Sequence, residues 1–426
     1  MIRRKALIMA GGRGERLMPI TDAMPKPLVP VAGKAVISHA LKKLFEAGID
    51  GAAVTLGYGG DKMKKYFSDR GTEGVSLEYF EEEAPLGTAG SAAEARGYFD
   101  DDFIALGGDV VFDIDISPAF EFHKKAGALV TVIVTRCADP CRFGALGYDK
   151  IGRVTAFSEK PTWRRVHGDT VSTGMYILSP RIFDFIRPGI FSDFARDVFP
   201  NILGGALYAY EADGYFCDIG TPAAYLKTNV DAEGGKIGGI SGSPVSKRAK
   251  VSGDAHISES VVMDGAAVGS GATVENSIVC ENAVIERGAT VKCAVVAAGA
   301  TVPKNATAHP TEELTTSFSR DAIAKARSEM RRASEETADE IVPDGAKIFT
   351  VTGKTAATFG AAKTVGELMR RGAEVRDEGV RLVFDDGTAD VCCVDGETVE
   401  ITARAETGER ASALYDYAKN GVKNLF

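Results

Sequence analysis

The chain has 426 residues, 45% hydrophobic and 26% charged, which separates it from disordered sequences and gives it length for two or three domains. Its net charge is −9, from 50 basic and 59 acidic residues, and this argues against nucleic acid as a partner, because that needs a basic face. No apolar run reaches the roughly 18 residues that cross a bilayer, so no membrane association is expected. The basic start Met1-Ile2-Arg3-Arg4-Lys5 is followed by only five apolar residues before Gly11, whereas a secretory leader needs about 7–15 and a cleavage site. Seven cysteines without regular spacing argue against a disulfide framework and for a reducing, cytoplasmic compartment.

Residues 1–232 read as alternating strands and helices. Ala6–Ala10 is a short apolar strand, and Ala35–Ala47 has helical periodicity with Ile37, Leu41 and Leu44 on one face. Ala52–Leu56 reads as strand, Asp61–Phe67 as helix, Val75–Phe80 as extended and Ala89–Tyr98 as helix. Phe103–Leu106 is a buried-strand run ending at Gly107-Gly108-Asp109. This rhythm predicts a mainly parallel sheet covered by helices, with ligands beyond the carboxyl ends of its strands.

From about 245 the texture changes. Small or aliphatic residues recur every six positions through Val251, Ile257, Val262, Val268, Val274, Cys280, Ile285, Val291 and Ala297, with one-residue slips at 257–262 and 280–285. A six-residue period with small residues between is the pattern of a β-helix, placed at 233–310. Residues 311–426 read as a small α+β domain. It holds a charged helix at Arg320–Ala338 capped by Ser319 or Asp321, strands at Gly379–Phe384 and Thr398–Ala403 around the turn Asp385-Asp386-Gly387, and a closing helix at Ala411–Val422.

The sharpest motif is Ala10-Gly11-Gly12-Arg13-Gly14-Glu15-Arg16-Leu17, directly after the first strand, with Pro25-Lys26-Pro27 following. Glycines let backbone N–H groups crowd around phosphate oxygens. Within residues 1–30, six basic side chains face two acidic ones, so positive charge is concentrated here despite the acidic whole. The run lacks both the dinucleotide Gly-x-Gly-x-x-Gly spacing and the terminal Gly-Lys-Ser/Thr of a Walker loop.

The stretch Gly11–Pro30 resembles the signature of the sugar-phosphate nucleotidylyltransferases. Further matches follow in order at Pro85–Gly90, Gly108-Asp109, Glu159-Lys160-Pro161, Thr173-Gly174 and Cys217–Pro222. The resemblance implies in-line attack of a sugar phosphate on the α-phosphorus of a nucleoside triphosphate, with pyrophosphate leaving. It implies Mg²⁺ on Asp109 and Asp218, and phosphate contacts from Arg16 and Lys26. It places the nucleotide against Ala10, Gly11, Gly12, Arg13, Gly14, Glu15, Pro85, Gly87, Thr88 and Gly108. The sugar phosphate falls to Gly144, Glu159, Lys160, Thr173 and Gly174. Glu15 stands where the family usually has Thr, a carboxylate beside a triphosphate that weakens binding unless it points away or helps hold Mg²⁺.

In detail the chain is most similar to the mannose-1-phosphate guanylyltransferase branch fused to a phosphomannomutase-like module, through Glu159–Pro180, Asp193–Pro200 and Gly214–Asp218. Gly366–Arg371, Glu378–Gly387 and Glu397–Glu406 resemble the last domain of a phosphohexomutase, though Cys392–Glu397 is a degenerate phosphate-binding stretch and no mutase activity is expected. The expected fold is therefore α/β: a Rossmann-like nucleotidylyltransferase domain over 1–232 with a mainly parallel sheet, a short left-handed β-helix over 233–310, and a small α+β domain over 311–426. The favoured reaction is GTP with mannose-1-phosphate. Its rivals are uridylyl or thymidylyl transfer to glucose-1-phosphate, a catalytically weak regulatory subunit sensing nucleotide sugars, and an acyltransferase working from the β-helix with His256. Self-association through 245–426 is expected. Cys392-Cys393 and the Cys137/Cys141 pair lack histidines at zinc-ligand spacing. His123 and His167 read as surface or capping residues, and Trp163 as a partly buried structural aromatic.

Overall fold

The computed structural model describes residues 4–137, 139–311, 314, 349–357, 361–371, 373–376, 378–384, 387–396, 398–405 and 408–423. The helix expected at Arg320–Ala338 lies outside them. Contacts divide the chain into two compact units. One joins Met1–Pro118, Leu178–Phe191 and Asp213–Ile323; the other joins Ala119–Ile177, Ser192–Ala212 and Ala324–Phe426.

In the first unit, strands Phe103–Gly107, Lys5–Ala10, Gly51–Leu56 and Ser76–Glu81 lie side by side in that order, all parallel. Ala6, Leu7, Ile8, Ala52, Ala53, Val54, Ile104 and Ala105 are fully buried, as a parallel sheet covered on both faces requires. Ser76–Glu81 alternates exposed and half-buried residues, with Glu78 and Glu81 guarding an edge. Met9 pairs with Gly107, and Ala10 with Leu56. The carboxyl ends of three strands thus finish level. Helix Pro222–Glu233 starts at Thr221, whose hydroxyl accepts from Ala224 N at 3.3 Å. It is tied to the Pro30–Val31 strand by the Tyr225 hydroxyl donating to Pro30 O at 2.7 Å and by Asn229 Oδ1 accepting from Ala32 N at 3.0 Å.

The left-handed β-helix belongs to the same unit. Val251, Val268, Ile285 and Val302 stack along one face, Ile257, Val274 and Val291 along a second, and Val262, Val279 and Val296 along the third. Each residue therefore lies on the one seventeen positions later. The sequence reading put Cys280 and Ala297 on the third face, and one slip at 280–285; the structure corrects both. The short interval recurs at one corner in every coil, at 257–262, 274–279 and 291–296. The reason is alternation along the strand. Val279 points into the prism, while Ile278 and Cys280 point out and are buried against Leu17, Val29 and Val31 of the neighbouring layer. With both sides apolar, hydrophobic periodicity cannot choose between adjacent positions.

The short corner carries its own chemistry. Glu259, Asn276 and Cys293 hold left-handed backbone there (φ 44°, 46° and 50°). Ser260 Oγ accepts from Ser277 N at 3.0 Å, and Ser277 Oγ accepts from Ala294 N at 3.1 Å, so each coil caps the next. Ser277 is fully buried and also donates to Glu275 O at 2.6 Å. Ser277→Ala leaves the Ala294 N–H without that acceptor and should cost about 1–3 kcal/mol. A lower denaturation midpoint for this variant, with no loss for an exposed control such as Ser241→Ala, checks the corner's contribution.

In the second unit, Gly144–Tyr148 pairs antiparallel with both Val154–Glu159 and Thr170–Leu178, and Val130–Arg136 pairs parallel with Leu207–Glu211. A separate antiparallel sheet runs Phe349–Ala356, Thr398–Ala405, Gly387–Cys393, Val380–Phe384, Glu374–Val375. Helices Ala361–Arg370 and Gly408–Lys423 accompany it, completing the α+β domain. The partner of Val380–Phe384 across the expected turn is Gly387–Cys393, not Thr398–Ala403. That strand's Gly, Ala and Asp have low strand propensity, which hid it. His123 and His167 are both buried rather than at the surface. His123 Nδ1 lies 2.9 Å from Thr131 Oγ1, and His167 Nε2 lies 2.8 Å from Arg376 O.

Candidate functional site

The Lys5–Ala10 strand runs into the glycine turn where three strand ends are level. Tyr58 N donates to Gly11 O at 3.1 Å, and a Cβ on Gly57 would lie 2.6 Å from that oxygen, so the two turns touch backbone to backbone. Gly14 adopts φ 71°, and its carbonyl accepts from Leu17 N at 3.0 Å and from the Thr21 hydroxyl at 2.8 Å. The result is a cleft of ≈ 470 Å³ lined by Ala10, Gly12–Arg16, Lys26, Pro27, Asp109 and Gly220. That volume suits a small-molecule ligand. A Cβ on Gly12 would meet nothing within 4 Å, so the main chain there faces open space. Gly108 sits behind: its Cβ would lie 3.2 Å from Pro27 and 3.3 Å from Ala10.

A two-stranded pairing builds the chemical centre. Val110–Phe112 runs antiparallel to Phe216–Asp218 with Val110 opposite Asp218, and Ile219 N donates to Asp109 O at 3.3 Å. Asp109 and Asp218, far apart in sequence, are thereby neighbours. The Lys26 ammonium bridges them, donating to Asp218 Oδ1 at 2.9 Å and to Asp109 Oδ2 in a short contact. Lys26 is buried. Burial alone would lower its pKa, but the charges of Asp109 and then Asp218 reverse this and hold it above the usual lysine range. Burial raises the Asp218 carboxyl, the Asp109 charge raises it further, and Lys26 and Arg16 oppose the rise. Arg16 meets Asp218 beside Gly220, where a Cβ would lie 3.3 Å from the guanidinium and 3.1 Å from Asp218.

Glu82 is a site residue that sequence reasoning missed. Its Oε2 accepts from Leu86 N at 3.3 Å, and its Oε1 accepts from the Ser91 hydroxyl. A Cβ on Gly11 would lie 2.9 Å from that same Oε1. Glu82 thus fixes Leu86 and the start of helix Gly87–Glu94 against the glycine turn. Only the run of Glu81–Glu83 marked it in sequence, and such runs are usually solvated. Arg13 lies over the Tyr58 ring, 5.6 Å from its centroid, and Glu15 is exposed on the cleft wall.

Gly144, Glu159, Lys160, Thr173 and Gly174 all lie in the second unit. Glu159 pairs with Gly144 across the sheet, and a Cβ on Gly144 would lie 2.9 Å from Glu159 Oε2. Burial raises the Glu159 carboxyl, Lys160 opposes this, and Asp193 adds to it. Lys160 holds a left-handed φ of 47°, its N donates to Phe143 O at 2.9 Å, and its side chain is half exposed. Strained non-glycine backbone of this kind clusters at functional sites. The Thr173 hydroxyl is buried and donates to Ile133 O at 2.7 Å, so it is occupied within the sheet. Gly174 (φ 70°) faces open space.

Among the described residues, no group of three or more His, Cys, Asp and Glu side chains is arranged to hold a metal ion. The two converging carboxylates of Asp109 and Asp218 do fit a hard divalent cation that takes its remaining oxygens from phosphate and water. No described helix is long and apolar enough to cross a membrane.

Lys26→Met would leave the two carboxylates facing each other with their shared cation gone. Their repulsion weakens on acidification as Asp218, whose carboxyl is already raised by burial and by Asp109, takes up a proton. The variant should therefore lose more stability relative to wild type at pH 7 than at pH 4.5. Thermal melts of both proteins at the two values check the sign.

Residues 5–234 match the nucleotidyl transferase family, and residues 222–313 match the GlmU-like C-terminal hexapeptide family. A mannose-1-phosphate guanylyltransferase catalytic subunit beta from Dictyostelium discoideum is 34% identical over 228 residues, covering 52% of this chain and 62% of that protein. A mannose-1-phosphate guanylyltransferase from Mycobacterium tuberculosis is 33% identical over 247 residues, covering 56% and 66%. A UTP–glucose-1-phosphate uridylyltransferase from Synechocystis is 32% identical over 237 residues, covering 52% and 61%. The chain thus spans less than two thirds of these relatives' lengths. With the family match extending over more than half its residues, the chain belongs to the nucleotidyl transferase family.

Proposed function

We propose that the protein transfers a nucleotidyl group from a nucleoside triphosphate to a sugar-1-phosphate, most specifically from GTP to mannose-1-phosphate, releasing pyrophosphate and forming GDP-mannose. The observation that carries this reading is the convergence of Lys26, Asp109 and Asp218 at the end of a glycine turn that exposes its backbone to the cleft. A phosphate oxygen of the sugar phosphate attacks the α-phosphorus, and the bond from that phosphorus to the oxygen of the β-phosphate breaks. A sugar phosphate is already anionic at neutral pH, so the step needs no histidine base. The turn's N–H groups from Gly11 to Gly14 hold phosphate oxygens, and Arg16 and Lys26 neutralise charge on the departing pyrophosphate. Asp109 and Asp218 are the residues that would hold Mg²⁺, which when bound supplies charge neutralisation to the phosphates. The Pro85–Thr88 segment, which opens helix Gly87–Glu94 and is fixed by Glu82, contacts the base. Glu159, Gly144 and Gly174 take the sugar hydroxyls and Lys160 the sugar phosphate; Thr173 acts through its main chain. Two of the three relatives described above bear mannose-1-phosphate guanylyltransferase names, which supports the substrate pair. The uridylyltransferase relative supports a second reading, uridylyl transfer to glucose-1-phosphate, at similar identity. We place the activity in the cytoplasm.

Pyrophosphate release across GTP, UTP, dTTP, ATP and CTP against mannose- and glucose-1-phosphate tests the reading. Rapid release is expected with GTP and mannose-1-phosphate; release only with UTP or dTTP and glucose-1-phosphate selects the second reading. No release from any pair argues against both. Gly12→Ala provides a structural control, since the added methyl meets no protein atom. It should melt within about 0.5 kcal/mol of wild type, while nucleotide KM rises about tenfold or more as the methyl blocks approach of the phosphates.

A further inference from the structure

From Lys160 to Asp169 the chain forms a strap whose residues Trp163, Arg164, Val166, His167 and Gly168 are fastened to the C-terminal domain of its own unit. Val166 is fully buried in a core shared with Ala361, Val365, Val391, Val399 and Ile401, and Trp163 packs against that core. The Arg164 guanidinium lies 3.5 Å from Glu400 and 3.5 Å from Glu378. His167 lies 2.8 Å from Arg376 O. At Gly168 the main chain touches the Ala361–Arg370 helix, where a Cβ on Gly366 would lie 3.0 Å from Gly168 Cα. Beyond it, Asp169 accepts two bonds from Arg136 Nη1, at 3.0 and 3.2 Å. The other end of the strap is Lys160, in left-handed backbone that its own residue type does not favour.

We propose that the C-terminal domain is a positioning device for sugar-phosphate recognition: through Gly366, and through Glu378 and Glu400 on Arg164, it holds the 160–169 strap so that Lys160 keeps its strained geometry. This rests on the role assigned to Lys160 above. A strap of ten residues has few internal hydrogen bonds and would otherwise sample many conformations, each costing affinity when the substrate must select one. The domain orders it beforehand by packing and ion pairing. Gly366 and Arg164 are positioning residues that need not touch substrate.

The test uses the full chain with Gly366→Val, which wedges a side chain into the Gly168 contact while improving intrinsic helix propensity. Misplacing Lys160 should raise the KM for the sugar phosphate about tenfold, while the nucleotide KM stays within about twofold. Hydrogen exchange should speed up within 160–169 and stay unchanged in Lys5–Ala10. Arg164→Ala should act in the same direction more weakly, and Arg164→Lys should restore part of the loss. An unchanged sugar-phosphate KM in both soluble variants, or an equal rise in both KM values, overturns the proposal. Failure of the wild type to release pyrophosphate would count against the activity reading instead. The exchange rates are read without substrate, and an unchanged rate at 160–169 would by itself overturn the strap's fastening.

Discussion

A buried lysine between two aspartates organises the first unit. Placing Asp109 beside Asp218 would be unfavourable on its own, because burial and mutual repulsion both penalise the second charge. Lys26 offsets that penalty by donating to both, and its own raised pKa records the same attraction. Every nearby element serves this placement. The Lys5–Ala10 and Phe103–Gly107 strands end level, Val110–Phe112 carries Asp109 against the strand of Asp218, and helix Pro222–Glu233 ties the Asp218 segment to the chain leaving Lys26.

The β-helix is joined to this layer by a buried apolar seam. One face of its coils is apolar on both sides, with Val279 inside and Ile278 and Cys280 outside against Val29, Val31 and Tyr225. The same double burial steadies the segment from Lys26 to Val31. In the second unit the C-terminal sheet plays a comparable part for the segment after Lys160, through Val166, Trp163 and Arg164. Each unit therefore backs one group of candidate site residues with a separate packed element.

Much of this was legible in sequence where local pattern and chemistry coincide. The buried runs at Lys5–Ala10, Gly51–Leu56 and Phe103–Gly107 appear within one residue of expectation, because fully buried parallel strands leave an unbroken apolar signature. The glycine turn and the two aspartates stand within ordered sequence motifs. What escaped depends on contacts distant in sequence. Glu82 looks like one of three surface glutamates until Leu86 N and the Ser91 hydroxyl are seen to meet it. The Thr173 hydroxyl is claimed by Ile133, which no local pattern announces. The β-helix register slipped by one at Cys280 because its outer face is buried as well. His123 and His167 looked like surface residues because their covers, Thr131 and the Arg376 carbonyl, come from other strands and loops.

The most direct measurement is calorimetric binding of a non-hydrolysable nucleoside triphosphate with and without Mg²⁺, comparing wild type with the Asp109→Asn/Asp218→Asn double variant. If the two carboxylates gathered by Lys26 form the centre of the site, Mg²⁺ should tighten binding to the wild type and have little effect on the folded double variant. Equal tightening in both proteins would contradict that role and move the chemistry elsewhere in the molecule.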